Sequence, residues 1–215
     1  MNSRIYETKD LRPMLLGESA PFDDADFIFE FKYDGARALL YITGQSVTAI
    51  GRKGTDFTPS FPEFAGLYKS VTNPCILDGE IFGLTDGIPD FSVYQKRGMI
   101  QNPLKARLAA GQYPVKFAAF DILYLGERDL TLRPLLERKR ILSKTVMPDE
   151  NILITDFIDA FGLRLFEAAS SARLEGIVAK RKSSIYMPGR RSKDWLKIKT
   201  MSHAKYRKAT KRVDL

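Results

Sequence analysis

Short apolar runs of strand length, not long amphipathic helices, dominate the hydrophobic pattern of the chain. The first is Phe27-Ile28-Phe29-Glu30-Phe31, and a second, Ala38 to Ile42, resumes after Lys32-Tyr33-Asp34-Gly35. Two such runs across a tight Asp-Gly bend predict a β-hairpin with Lys32 held at a sheet end. Ser46 to Ile50 predicts a further strand, closed by Gly51-Arg52-Lys53-Gly54, whose glycines let backbone approach a ligand closely. Pro62 near a first turn opens a short helix that runs to about Ser70. Cys75 to Phe82 is a buried-strand pattern carrying Asp78 and Glu80, which such a position tolerates only if paired, hydrogen-bonded or bound to a cation. Helical pieces over Ser92–Met99 and Pro103–Ala110 precede the longest strand, Val115–Leu125. Amphipathic helices follow over Pro134–Lys144 and Phe161–Arg173, then strands over Leu174–Lys180 and Trp195–Lys199. In the last of these, the two-residue period sends Lys197 and Lys199 to one face and Leu196 and Ile198 to the other. Residues 1–26 read as irregular, anchored by Arg12-Pro13-Met14-Leu15-Leu16. Strands mixed with helices, without regular βαβ alternation, predict an α+β fold.

Composition narrows the chemistry. A chain of 215 residues with 44% hydrophobic and 28% charged content can bury a sizeable core. One cysteine, Cys75, leaves no disulfide framework or thiolate-rich zinc site, and one histidine, His203, leaves no His-rich metal site. No apolar run reaches membrane-span length and no secretory pattern opens the chain, so a cytoplasmic protein without membrane contact is expected. The net charge of +8 is local: thirteen of the 34 Lys/Arg, but only two of the 26 acids, lie from Lys180 onward. Such a stretch is an electrostatic footprint for phosphate, of a nucleotide or of a nucleic-acid backbone.

The positions out of keeping with a plain strand core are Lys32, Arg37, Arg52, Glu80, Glu175, Lys197 and Lys199. That many cations suit a triphosphate, and two separated glutamates suit the few carboxylates that Mg²⁺ takes beside phosphate oxygens and water. A lysine among cations loses its proton more readily and becomes a nucleophile toward an α-phosphate. Nucleotidyl transfer through a lysyl phosphoramidate is the reaction this set supports.

The sequence resembles the covalent nucleotidyltransferases, and among them the ATP-dependent DNA ligases of bacterial type. Lys32-Tyr33-Asp34-Gly35-Ala36-Arg37 is similar to the family's Lys-x-Asp-Gly-x-Arg nucleophile motif. Leu77-Asp78-Gly79-Glu80, Phe117 to Tyr124, Glu175 to Lys180, and Tyr186 to Lys199 resemble the next four motifs, in the family's order. The resemblance implies a nucleotidyltransferase (adenylation) domain of antiparallel sheets flanked by helices, ATP-grasp-like, over residues 1–200. It implies that Lys32 attacks the α-phosphate of ATP and carries AMP. Glu30 would read the adenine amino group and Phe120 would stack on the ring. Arg37, Arg52 and Glu80 would bind ribose or a 5′-phosphate, and Glu175, with Glu80, would hold Mg²⁺ or Mn²⁺. Lys197 and Lys199 would neutralise the α-phosphate, with Lys180 either assisting or standing as a solvated strand end. Asp34, Asp78 and Asp121 are expected to be structural, and Trp195 to be core. AMP would pass to the 5′-phosphate of nicked double-stranded DNA, and the 3′-hydroxyl would seal the break.

In the family an oligonucleotide-binding barrel with a sixth motif follows the fifth. Only sixteen residues follow Lys199, so 201–215 is expected to be a basic tail without an OB-fold domain, whose function a partner protein or domain would supply. An RNA ligase or capping-type enzyme uses the same lysine chemistry, and a non-catalytic adenylate- or nick-binding module could keep the pocket without turnover.

Overall fold

The computed structural model describes residues 4–200, so the tail expected over 201–215 lies outside the described residues. In chain order the elements are α1 (Arg4–Thr8), β1 (Leu15–Glu18), β2 (Phe27–Lys32), β3 (Ala36–Ile42) and β4 (Val47–Gly51). After two 3₁₀ segments, Thr58–Ser60 and Pro62–Ser70, come β5 (Cys75–Thr85), β6 (Ile88–Asp90), α2 (Phe91–Arg97) and α3 (Pro103–Gln112). Then follow β7 (Val115–Leu125), β8 (Arg128–Asp129), α4 (Leu135–Thr145), β9 (Ile152–Ile154), β10 (Phe157–Asp159), α5 (Gly162–Ser171), β11 (Gly176–Arg181) and β12 (Arg191–Lys199). The α+β class holds. Among the described residues no helix is long and apolar enough to cross a membrane.

The strands form two sheets. One has the order β1-β12-β11-β2-β10; the other has β4-β3-β5-β7-β8, with β6 on β5 and β9 on β7. All pairings are antiparallel except β1 with β12 and β7 with β9. The predicted hairpin at Lys32 does not form: β2 pairs with β10 and β11, whereas β3 pairs with β4 and β5. Tyr33-Asp34-Gly35 carries the chain from one sheet into the other. Gly35 passes so near β5 that a Cβ on it would lie 2.1 Å from the Ile81 carbonyl oxygen. The Asp-Gly bend is real, but the partners of the two strands are chosen by burial of their faces, which a local turn signal does not report.

The N-terminal segment is also more regular than expected, because Leu15–Glu18 adds a parallel edge to β12. The segment Pro62–Ser70 winds as 3₁₀ helix. Three apolar clusters hold the layers. Phe27, Phe29, Ile177 and Ile198 face outward against Leu165 and Ala169 of α5. Leu40, Leu77, Phe117 and Ala119 face outward from the second sheet, against Phe61, Phe64, Leu67 and Leu142. Ile28 and Trp195 meet Leu39, Tyr41, Ile76 and Leu123 between the sheets. Each fully buried Leu, Ile or Phe among them contributes about 1.5–3 kcal/mol. Trp195, fully buried, is core as expected.

Candidate active site

Strand periodicity builds the site. Since Ile28 and Trp195 point between the sheets, so do Glu30 and Lys32 on β2 and Lys197 and Lys199 on β12. From the second sheet, Leu39 brings Arg37 to the same side, and Ile76 brings Asp78 and Glu80. The inner faces are thus apolar at one end and charged at the other, where the sheets diverge around a cleft of about 720 Å³. Lys32, Arg37, Arg52, Glu80, Glu175, Lys197 and Lys199 all line it. A narrower pocket of about 40 Å³ runs inward, lined by Glu30, Lys32, Phe120, Val178 and Lys180 among others. All ten site positions read from the sequence therefore line one or the other of two pockets that share Lys32, Arg37 and Glu80.

Lys32 ends β2 at the crossing between sheets, and its Nζ donates to Glu175 Oε2 at 2.7 Å. Its nearest charged neighbour is an anion rather than the cations expected. Lys199 Nζ lies 3.7 Å from the other oxygen, Glu175 Oε1. Lys32 and Lys199 share one row across the sheet, both opposite Gly176. Gly176 has φ +151°, and a Cβ there would meet the Ile198 carbonyl oxygen at 2.1 Å, so glycine is needed where the two lysines converge. Lys197 is held by Glu18 of β1, Nζ to Oε1 at 2.6 Å. Burial raises Glu80 to about 7; Lys32 and Arg37 oppose the rise, while Glu175 and Asp78 add to it.

Arg37 does not extend freely toward the cleft. Its Nε and Nη2 donate to Asp78 at 2.5 and 2.6 Å, and its guanidinium stacks on Phe120, 4.4 Å from the ring centre. Burial disfavours the Arg37 charge, but Asp78 more than compensates and holds the guanidinium above its ordinary range. Tyr186 Oη also donates to Asp78, at 2.5 Å, so the paired and buried Asp78 has the structural part expected of it. Asp121 likewise takes both Nε and Nη2 of buried Arg138 at 2.8 Å. Phe120 sits on a β-bulge: the β5–β7 register steps from Asp78↔Asp121 to Gly79↔Ala119 and skips it. The bulge turns its ring inward beside Trp195.

Lys180 is not a solvated strand end. It is 2% exposed, with Nζ 2.6 Å from Glu30 Oε2 and 4.2 Å from the centre of the Phe120 ring. Burial lowers it to about 8, against the pull of Glu30 and with the help of Lys139. Lys139 of α4 was not singled out in the sequence, although it stands 2.5 Å from Glu30 Oε1. The signal was present: Leu135, Arg138, Lys139 and Leu142 follow the i, i+3, i+4, i+7 spacing of a buried stripe, so two charged residues occupy core positions.

Among the described residues no group of three or more His, Cys, Asp or Glu could hold a metal alone. Glu80 and Glu175 face the cleft as a two-carboxylate set, which fits an ion that takes one or two carboxylates and fills its shell with phosphate oxygens and water.

Comparison with known proteins adds the family context. The family described as "ATP dependent DNA ligase domain" matches residues 17–199. The SPbeta prophage-derived DNA ligase-like protein LigB of Bacillus subtilis is 30% identical over 188 residues, covering 86% of this chain and 66% of that protein. The bifunctional non-homologous end joining protein LigD of the same organism is 34% identical over 212 residues, covering 90% of this chain and 34% of LigD. A mycobacterial DNA ligase D structure, complexed with ATP and MES, superposes with a TM-score of 0.75 at 29% identity, covering 88% of this chain and 60% of that one. The chain thus spans between about one third and two thirds of the length of these relatives.

Proposed function

Since the chain belongs to the ATP-dependent DNA ligase domain family, we propose that it is the adenylating part of a DNA ligase, with Lys32 as the residue that carries AMP. The observation that carries this reading is the Lys32–Glu175–Lys199 cluster at the crossing between the sheets, open to a cleft lined by Arg52 and Lys197. The ammonium proton of Lys32 leaves through its hydrogen bond to Glu175, freeing the lone pair on Nζ. An N–P bond then forms to the α-phosphorus of ATP as the P–O bond to pyrophosphate breaks. Lys197 and Lys199 meet the charge that develops on the α-phosphate, which lowers the barrier because both are already oriented by the strand. Glu80 and Glu175 would hold a magnesium or manganese ion, which would lend further positive charge to the phosphate oxygens.

The purine enters the inner pocket, against Phe120, with Glu30 facing its amino group. In the second step a DNA 5′-phosphate attacks the phosphoramidate, the N–P bond breaks and Lys32 regains a proton. In the third, the neighbouring 3′-hydroxyl attacks that activated phosphate, a phosphodiester forms and AMP leaves. Arg52 and the basic face of β12 are the contacts for the DNA backbone, and binding through them weakens with salt.

The test follows the label. The protein is incubated with α-labelled ATP and Mg²⁺, with GTP in parallel, then chased with nicked duplex DNA and resolved under denaturing conditions. Protein-bound label from ATP, moving to the DNA strand on the chase, supports the reading. Label from GTP alone would move it to a capping-type enzyme. Absence of any covalent label, with ATP still bound, would leave an adenylate-binding module.

A further inference from the structure

The inner pocket ends on a charge cluster that lysyl-AMP chemistry does not require. Glu30 is 2% exposed and lies between Lys180, also 2% exposed, and Lys139, 6% exposed. The two lysines arrive from opposite layers. Lys180 stands on β11, the neighbour of Glu30's own strand. Lys139 stands on α4, which packs on β7 of the second sheet, and its Nζ also donates to the Thr155 carbonyl at 3.1 Å. The Glu30 carboxylate is therefore gripped from both sheets, although Lys139 does not itself line the pocket.

Two buried cations around one anion is a costly arrangement for stability alone. The contacts are close but not well directed: among the described residues neither Glu30 Oε1 nor Lys180 Nζ makes an aligned hydrogen bond. A carboxylate and an ammonium, each ion-paired within the cluster, thus stand side by side at the end of the pocket. That pair complements a 6-aminopurine edge, on which an amino donor adjoins a ring-nitrogen acceptor. We propose that Lys139 is a positioning residue that fixes the Glu30 carboxylate as acceptor for the exocyclic amino group, setting base selection without touching the nucleotide. The proposal rests on the reading of the inner pocket as the purine site.

The test uses binding, so that it does not depend on turnover. Calorimetric titrations compare ATP with purine riboside triphosphate, which lacks the amino group, in the wild type, Lys139→Met and Lys139→Arg. Wild type is expected to favour ATP by about tenfold, the scale of one hydrogen bond to a charged group. Lys139→Met is expected to lose most of that preference by weakening ATP alone, and Lys139→Arg to retain most of it. Equal weakening of both nucleotides in Lys139→Met would reduce Lys139 to a structural residue and overturn the proposal. A wild type that binds both nucleotides equally would overturn it too, whether or not the variants fold. Covalent labelling of the same wild-type sample is read separately: preference without label would refute the lysine chemistry and leave the role of Lys139 standing.

Discussion

The floor and the mouth of the cleft are made from the same residue types put to opposite uses. On the floor, Arg138–Asp121 and Glu30 with Lys139 and Lys180 are buried, and Asp78 binds both Arg37 and Tyr186. At the mouth, Lys32, Lys197 and Lys199 keep contact with solvent, each beside a single carboxylate. A buried pair adds little over an apolar pair, yet losing one partner strands a charge away from water. The Lys197–Glu18 pair is largely exposed and weak, so its lysine exchanges a carboxylate for a phosphate at small cost, whereas Lys32 and Lys199 share the buried Glu175. Substitutions at the Arg138–Asp121 pair, which does not line the cleft, should register as stability, and those at the lysines of the mouth should register as activity.

The largest effect expected is at the mouth. Lys32→Ala should remove covalent nucleotide label altogether and, because Glu175 is buried and loses its nearest cation, should lower the urea midpoint as well; a labelled variant would refute the assignment of Lys32. On the floor, Arg138→Leu should cost about 3–5 kcal/mol in urea unfolding by stranding Asp121, and pairing it with Asp121→Leu should recover most of that. Lys199→Ala sharpens the contrast from the other side. Its adenylation rate should fall by about 10²–10³-fold with little change in midpoint, as for the loss of one oriented donor to a developing charge.

The smallest effect concerns pH. With Glu80 raised from 4.5 to about 7, the folded state keeps a proton there that the unfolded chain has released. Its contribution to stability therefore declines as pH rises through that window. Urea midpoints at about pH 5 and about pH 7.5 should differ more in the wild type than in Glu80→Gln. Parallel profiles would show that Glu80 is ionised throughout.

The mouth was more legible in the sequence than the floor. Lys32, Glu80, Glu175, Lys197 and Lys199 stood out because charges inside apolar strands are conspicuous, and the two-residue period assigned Lys197 and Lys199 to one face. Arg52 stood out between two glycines. The floor depends on what meets across layers. The spacing puts Lys139 at a core position of α4, but its partner Glu30 emerges only when α4 is docked on β7, and Asp78 becomes the partner of Arg37 only after β3 pairs with β5. The mistaken hairpin has the same origin: Asp34-Gly35 signals a bend, while the partners of the strands on either side are chosen by burial of their faces. The edge strand β1, four residues long, and the short β9 and β10 carry too few positions to show a period of two.

The site at which AMP is attached decides between Lys32 and any other nucleophile. Protein incubated with ATP and Mg²⁺, digested and mapped by mass spectrometry, should carry one AMP on the peptide bearing Lys32, and pyrophosphate should remove it. AMP on another lysine, such as Lys180, or an unmodified Lys32 in protein that binds ATP, would contradict it.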